Sequence, residues 1–338
     1  MIRYPHLDKK ASVGITAPSS GVPDELHDLL DQALGSLERK GYKTICGQTP
    51  WTQDKVRSAP AKVRAEEFHN MMDQEDIQLI FPPWGGELLI EMLAYIDFNK
   101  INKKWILGYS DTSSLLLSIT LKTGIATAHG TNLIDIRGDY SDETTARWQD
   151  VLSTKAGDSV LQYSSEKFQK EWDFANPTPH IFHLTEATRW QAIPEQDVSI
   201  EGRLLGGCID TIRHLIGTPY GDVDHFEKQF IPNDPVIWYL ENCELSTIDL
   251  KRSLIQMKYA GWFNNCSGLM FGRSPANTPV NGYTIEELYQ EMAETLQIPI
   301  IYDIDCGHVP PQITFINGAY AKVALHNGRG QIEQTFKA

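Results

Sequence analysis

Short apolar runs alternate with stretches of helical periodicity through the first half of the chain. Ser12-Val-Gly-Ile-Thr-Ala-Pro is an apolar run that stops at Pro18-Ser19-Ser20-Gly21, the composition of a strand followed by a turn. From Asp24 to Lys40 the apolar positions Leu26, Leu29, Leu30, Ala33, Leu34 and Leu37 recur at helical spacing, which predicts a helix stopped at Gly41. Lys43-Thr-Ile-Cys predicts a second strand, Ala61 to Met72 a helix, and Ile77-Gln-Leu-Ile-Phe a third strand broken by Pro82-Pro83-Trp84-Gly85-Gly86. A helix is expected over Leu88 to Tyr95. Lys104-Trp-Ile-Leu-Gly-Tyr predicts a strand running straight into Ser110, and Leu115, Leu116, Leu117 and Ile119 a helix after it. This alternation is the signature of βαβ units, so the first half is read as an open, doubly wound parallel sheet in an α/β fold.

The pattern then changes. The middle of the chain is richer in polar and aromatic residues, carries Pro177 and Pro179, and lacks long periodic runs. Beyond it, Ser199-Ile-Glu-Gly-Arg-Leu-Leu-Gly-Gly and Val236-Ile-Trp-Tyr-Leu predict strands, and Thr247 to Tyr259 a helix. The expected organisation is a first domain over 1–165, a crossover over 166–198, and a second, smaller α/β, β-rich domain over 199–338.

Composition narrows the class. The 338 residues are 41% hydrophobic, 22% charged and 10% aromatic, which excludes disordered and collagen-like classes. At about 150 residues per domain, the length suits two domains, each with its own core. A net charge of −14 without a long Lys/Arg run gives no footprint for nucleic acid. No apolar run approaches the ~18 residues of a spanning helix, and the charges in Met1-Ile-Arg-Tyr-Pro-His-Leu-Asp-Lys-Lys interrupt any secretory signal, so a cytoplasmic protein without a membrane partner is expected. Cys46, Cys208, Cys243, Cys266 and Cys306 contain no C-x-x-C spacing and read as buried thiols, not as a disulfide framework or a zinc site.

The candidate chemistry starts at Gly108-Tyr109-Ser110-Asp111, a sharp turn at the carboxyl edge of the sheet, where open α/β sheets put their sites. It resembles a nucleophile elbow, with Thr112 where that pattern has glycine. The Asp111 amide, at a helix start, would face a developing oxyanion; the competing role for Ser110 is an N-cap. A serine nucleophile needs a base held by an acid. His308, in a turn stiffened by Pro310 and Pro311, is the first choice and His129 the second. Glu241, after a buried strand, is the candidate acid, with Glu244 as the alternative. Gly85-Gly86 can supply a second oxyanion amide, and Gly206-Gly207 is a candidate for similar work. Two other readings are a thiol enzyme using Cys306 or Cys243 and a non-catalytic protein binding a small ligand in the same cleft. Arg57, Arg64 and Arg203 are candidate partners for a substrate carboxylate, weighed against salt bridges. Neither a P-loop nor a G-x-G-x-x-G motif is present.

Ser12-Val-Gly-Ile-Thr-Ala-Pro-Ser-Ser, Pro83-Trp-Gly-Gly, Gly108-Tyr-Ser-Asp-Thr, Gly202-Arg-Leu-Leu-Gly-Gly, Leu240-Glu-Asn-Cys-Glu, Cys306-Gly-His and Gly318 together resemble the LD-carboxypeptidase family of serine peptidases. That family includes murein tetrapeptide carboxypeptidases and microcin C self-immunity peptidases. The resemblance implies a Rossmann-like N-terminal domain, a smaller C-terminal domain, and a homodimer working without metal or cofactor on a small peptide or peptide conjugate. It implies Ser110 as nucleophile, His308 as base, Glu241 as acid, and the Gly86 and Asp111 amides as oxyanion hole. Trp84-Gly85-Gly86-Glu87 departs from the Arg-Gly-Gly-Tyr-Gly of murein enzymes and lacks the Asn/Ser-rich continuation of the immunity peptidases. The resemblance implies a murein L,D-tetrapeptide as the first substrate and an aminoacyl-nucleotide conjugate as the second.

Overall fold

The computed structural model describes residues 1–170 and 181–338; Pro177 and Pro179 of the expected crossover lie outside the described residues. Five parallel strands make most of the first sheet: β1 (Ser12–Ile15), β2 (Lys43–Cys46), β3 (Ile77–Ile80), β4 (Trp105–Gly108) and β5 (Thr127–His129). Helices α1 (His27–Arg39), α2 (Ala61–Asp73) and α3 (Thr112–Thr123) alternate with them. The helix expected over Leu88 to Tyr95 is instead a 3-10 helix over Leu89–Tyr95, with three-residue bonds such as Glu91 N to Leu88 O. The Asp111 carboxylate caps its first amide, that of Leu89, at 2.8 Å.

The other strands are β6 (Ser159–Tyr163), the short hairpin β7 (Lys167–Phe168) and β8 (Glu186–Ala187), β9 (Gln191–Ile193), β10 (Val198–Cys208), β11 (Val236–Glu241), β12 (Cys266–Gly272), β13 (Ile300–Ile304), β14 (Phe315–Asn317), β15 (Tyr320–His326) and β16 (Arg329–Thr335). Eight of them form a second sheet in the order β6-β16-β15-β10-β11-β12-β13-β9, parallel from β10 to β13 and antiparallel outside. Strand β14 leaves this half and completes the first sheet, antiparallel to β5, giving β14-β5-β4-β3-β1-β2. The fold is thus α/β, with a parallel open sheet first and a mixed sheet second. Among the described residues no helix is long and apolar enough to cross a membrane.

Helix α3 sits between the sheets. Its residues from Thr112 to Leu121 are all buried, and its small Ser and Thr side chains let both sheets pack close around the apolar Leu115, Leu116, Leu117 and Ile119. Strand β11 sorts its side chains by alternation: Val236, Trp238 and Leu240 join the core shared with the first sheet, while Ile237 and Tyr239 join the core on the opposite face. Asn317 stitches the sheets together, its Oδ1 accepting from Gly206 N at 3.0 Å and from the Tyr239 hydroxyl at 2.8 Å. The carboxyl ends of β4 and β11 and the loop after β13 therefore meet at one place.

Candidate active site

Ser110 leaves β4 in the left-handed region, at φ +61°. Such a conformation costs a non-glycine residue about 1–3 kcal/mol and lasts only where neighbours hold it. Here the Asn132 side chain accepts from Tyr109 N at 3.2 Å, and Ser110 O accepts from Ser113 N at 2.9 Å. The turn lifts the hydroxyl off the sheet. Helix α3 is capped at Asp111, without a side-chain capping bond, so Ser110 does not serve as its N-cap.

The Ser110 hydroxyl faces His308 instead, with Oγ 3.1 Å from Nε2. His308 Nδ1 lies 2.8 Å from Glu241 Oε2. A neutral imidazole donating from Nδ1 to that carboxylate leaves Nε2 to accept the serine proton. Glu241 is the last residue of β11 and is fully buried. Burial alone would raise its carboxyl, but the charge and hydrogen bond of His308, with smaller help from His129 and the Cys208 thiol, hold it below its ordinary value. Burial likewise disfavours charge on His308, yet Glu241 and the Cys243 thiol outweigh it and push the imidazole well above 6.5.

The His308 loop is fixed from both sides. Before it, the buried Asp305 carboxylate accepts from Ser165 N at 2.9 Å, Trp190 Nε1 at 3.0 Å and the Arg273 guanidinium. Across it, Gln312 accepts from Gly307 N at 3.0 Å and returns a bond to Gly307 O.

Gly85 and Gly86 close the other wall. A Cβ on Gly85 would lie 2.8 Å from Ser110 Oγ and 2.9 Å from Asp111 N, so its absence keeps the nucleophile and that amide accessible. Gly86 has φ +141°, and a Cβ there would meet Ser20 Oγ at 2.3 Å. Among the described residues neither the Gly86 nor the Asp111 amide has a protein acceptor. A cleft of about 390 Å³ opens in front, lined by Ser20, Gln53, Trp84, Tyr109, Asn132 and His308.

Of the remaining candidates, the Cys243 thiol stands beside His308; the others are not part of this hydrogen-bonded chain. His129 is fully buried, with Nδ1 3.9 Å from Cys306 Sγ. Burial pushes the Cys306 thiol well up, the opposite of what a thiol nucleophile needs. Glu244, the alternative acid, is exposed and gives its amide to Asp210 at 2.9 Å, and the helix that follows is capped by Ser246. Gly206-Gly207 serves packing, Gly207 resting on Ser113 of α3. All three arginines are engaged: Arg57 and Arg64 with Glu91, both at 3.1 Å, and Arg203 with Asp234 at 2.7 Å. Sequence reasoning missed Asn132, Asp305 and Gln312, which hold the turn and the loop. Their signal is contact across the fold, which no local pattern carries. Among the described residues no cluster of three His, Cys, Asp or Glu side chains is arranged to hold a metal ion.

Comparison with known proteins bears on both halves. Residues 13–130 match the LD-carboxypeptidase N-terminal domain, and residues 201–323 match the LD-carboxypeptidase C-terminal domain. The microcin C7 self-immunity protein MccF of Escherichia coli is 26% identical, over 89% of this chain and 86% of that one. A probable murein peptide carboxypeptidase of Bacillus subtilis is 26% identical, over 93% of this chain and 89% of that one. The structure of MccF in complex with glutamyl sulfamoyl guanosine superposes with a TM-score of 0.82 at 23% identity, over 100% of this chain and 99% of that one. With its two halves matched in order to the two domains of one family, this chain belongs to the LD-carboxypeptidases and is a serine-peptidase hydrolase.

Proposed function

We propose that the protein is a serine carboxypeptidase that hydrolyses an amide bond of a small peptide by acyl transfer, with a murein L,D-tetrapeptide as its substrate. The observation that carries this reading is the hydrogen-bonded chain from Ser110 through His308 to Glu241, at 3.1 and 2.8 Å, at the edge of an open cleft. Ser110 Oγ attacks the scissile carbonyl as its proton passes to His308 Nε2. Glu241 stabilises the imidazolium, and the Gly86 and Asp111 amides hold the oxyanion. His308 then protonates the leaving amine as the C–N bond breaks. Water, deprotonated by His308, cleaves the acyl-enzyme and restores Ser110.

Aminoacyl-nucleotide conjugates are the second reading, favoured by Trp84 and Tyr109 in the cleft wall, since aromatic faces suit a planar base. The same proposal carries the nucleophile in 1–165, the acid and base in 199–338, and a cytoplasmic homodimer, which sedimentation would check.

The test is mass spectrometry of products after incubating wild type and Ser110→Ala with a murein L,D-tetrapeptide and with an aminoacyl-sulfamoyl-adenylate. Release of D-Ala by wild type alone is expected. Cleavage of the adenylate alone replaces the first substrate with the second, and turnover by Ser110→Ala at the wild-type rate sinks the mechanism.

A further inference from the structure

Asp111 lends its amide to the proposed oxyanion hole, but its side chain has contacts of its own. The residue is 2% exposed. One oxygen, Oδ2, accepts from the Ser19 hydroxyl at 2.5 Å and from the Leu89 amide at 2.8 Å. These donors sit on the two other loops that wall the hole. Ser19 lies in the turn after β1, where the neighbouring Ser20 amide donates to Gly85 O at 3.1 Å. Leu89 opens the 3-10 helix just beyond Gly85-Gly86. A Cβ on Gly86 would come within 2.5 Å of Ser19 Oγ, so the backbone of one oxyanion donor rests on the hydroxyl that Asp111 holds.

A second brace ties the same two loops. Arg64, 0% exposed in α2, donates from Nη1 to Pro18 O at 2.7 Å and to Leu88 O at 3.1 Å, the residues preceding Ser19 and Leu89. Burial pushes the Asp111 carboxyl up to about 6, against the pull of the Ser19 and Leu89 bonds. The group is thus held in a desolvated place by donors from both loops at once.

We propose that the Asp111 side chain is a positioning residue for the oxyanion hole, fixing the Gly86 amide relative to its own amide through Ser19 and Leu89. The proposal rests on the acyl-transfer reading. Oxyanion charge exists only on the way through the tetrahedral intermediate, so loosened donors weaken the transition state and leave ground-state binding largely intact. A carboxyl that merely filled a buried site would instead register in thermal stability alone.

The test uses the full chain and p-nitrophenyl acetate, whose burst reports acylation of Ser110 whatever the natural substrate. Asp111→Ala is expected to lower the acylation rate constant about 10- to 100-fold with the half-saturation concentration within about threefold. Asp111→Asn, whose amide oxygen can accept both bonds, is expected to recover about tenfold over Asp111→Ala. Ser19→Ala is expected to fall between them, and it carries the test if Asp111→Ala does not fold. Acylation by Asp111→Ala or a folded Ser19→Ala within about twofold of wild type overturns the proposal, as does an Asp111→Asn variant no faster than Asp111→Ala. A burst that persists in Ser110→Ala would instead remove the acyl-transfer reading beneath it.

Discussion

His308, in the loop after β13, and His129, at the end of β5, both feel the Glu241 carboxylate, yet their protonation is driven in opposite directions. His308 bonds that carboxylate at 2.8 Å and opens onto the cleft, with 22% of its side chain exposed. His129 is sealed between the rings of Tyr109 and Tyr239, at centroid distances of 6.3 and 5.3 Å, and burial takes it down to about 4. Neighbouring negative charge is thus not enough to make a base. A direct hydrogen bond that replaces lost hydration decides the sign, and access to the cleft decides whether the proton has anywhere to go.

The two imidazoles should differ most in what their loss does to turnover. His308→Gln should lower kcat/KM by about 10⁴-fold, whereas His129→Gln, outside the hydrogen-bonded chain, should stay within about tenfold. Steady-state kinetics on the substrate identified by mass spectrometry checks both, and equal losses would erase the distinction. Glu241→Gln comes next, with a loss of about 10²- to 10⁴-fold. It should also move the pH profile. The base works only when neutral, so wild-type kcat/KM should rise with pH through an apparent pKa above 6.5. Without the carboxylate, burial remains and the rise should shift toward acid. A profile of Glu241→Gln superimposable on wild type would contradict this.

The last effect belongs to His129 and is read in stability, not in turnover. Its folded pKa, about 4, lies below the ordinary 6.5. The unfolded chain therefore binds the extra proton first, and the stability present above 6.5 is lost as pH falls toward 4. Two and a half pH units correspond to about 3 kcal/mol. Urea melts of wild type and His129→Gln between these pH values should converge by that amount on acidification; parallel curves would mean His129 takes up its proton while folded.

Local pattern made the first half legible: the strand, turn and helix around Ser110 are consecutive, and βαβ alternation places that turn at a sheet edge. A loop histidine on a proline-stiffened support and an acid closing a buried strand were legible as first choices, but their contact with each other and with Ser110 was not. Seeing that His308 and not His129 reaches Ser110 needs the packing of one sheet on the other, which brings the ends of β4 and β11 and the loop after β13 together while turning His129 inward against Cys306. Glu241 and Glu244 are separated by whether the strand has ended, and Asp210, which gathers the Cys243 and Glu244 amides, belongs to another segment. The Ser19 contact with Asp111 spans 92 positions and leaves no periodic trace. Leu88 to Tyr95 reads as an α-helix by composition but folds as a 3-10 helix over Leu89–Tyr95, and the Asp111 side chain from beyond β4 that caps it is a contact across the fold.

The return of β14 to the first sheet has a consequence for the order of assembly during translation. Its three residues pair with β5 in register, Phe315 against His129 and Asn317 against Thr127. Until Asn317 has left the ribosome, the β5 flank is an unpaired edge, open to adventitious strand addition by a neighbouring nascent chain. The first sheet is thus begun early and closed only after β13 of the second has been made. In ribosome-stalled nascent chains, the β5 flank that faces β14 would gain protection only at lengths that let Asn317 leave the ribosome.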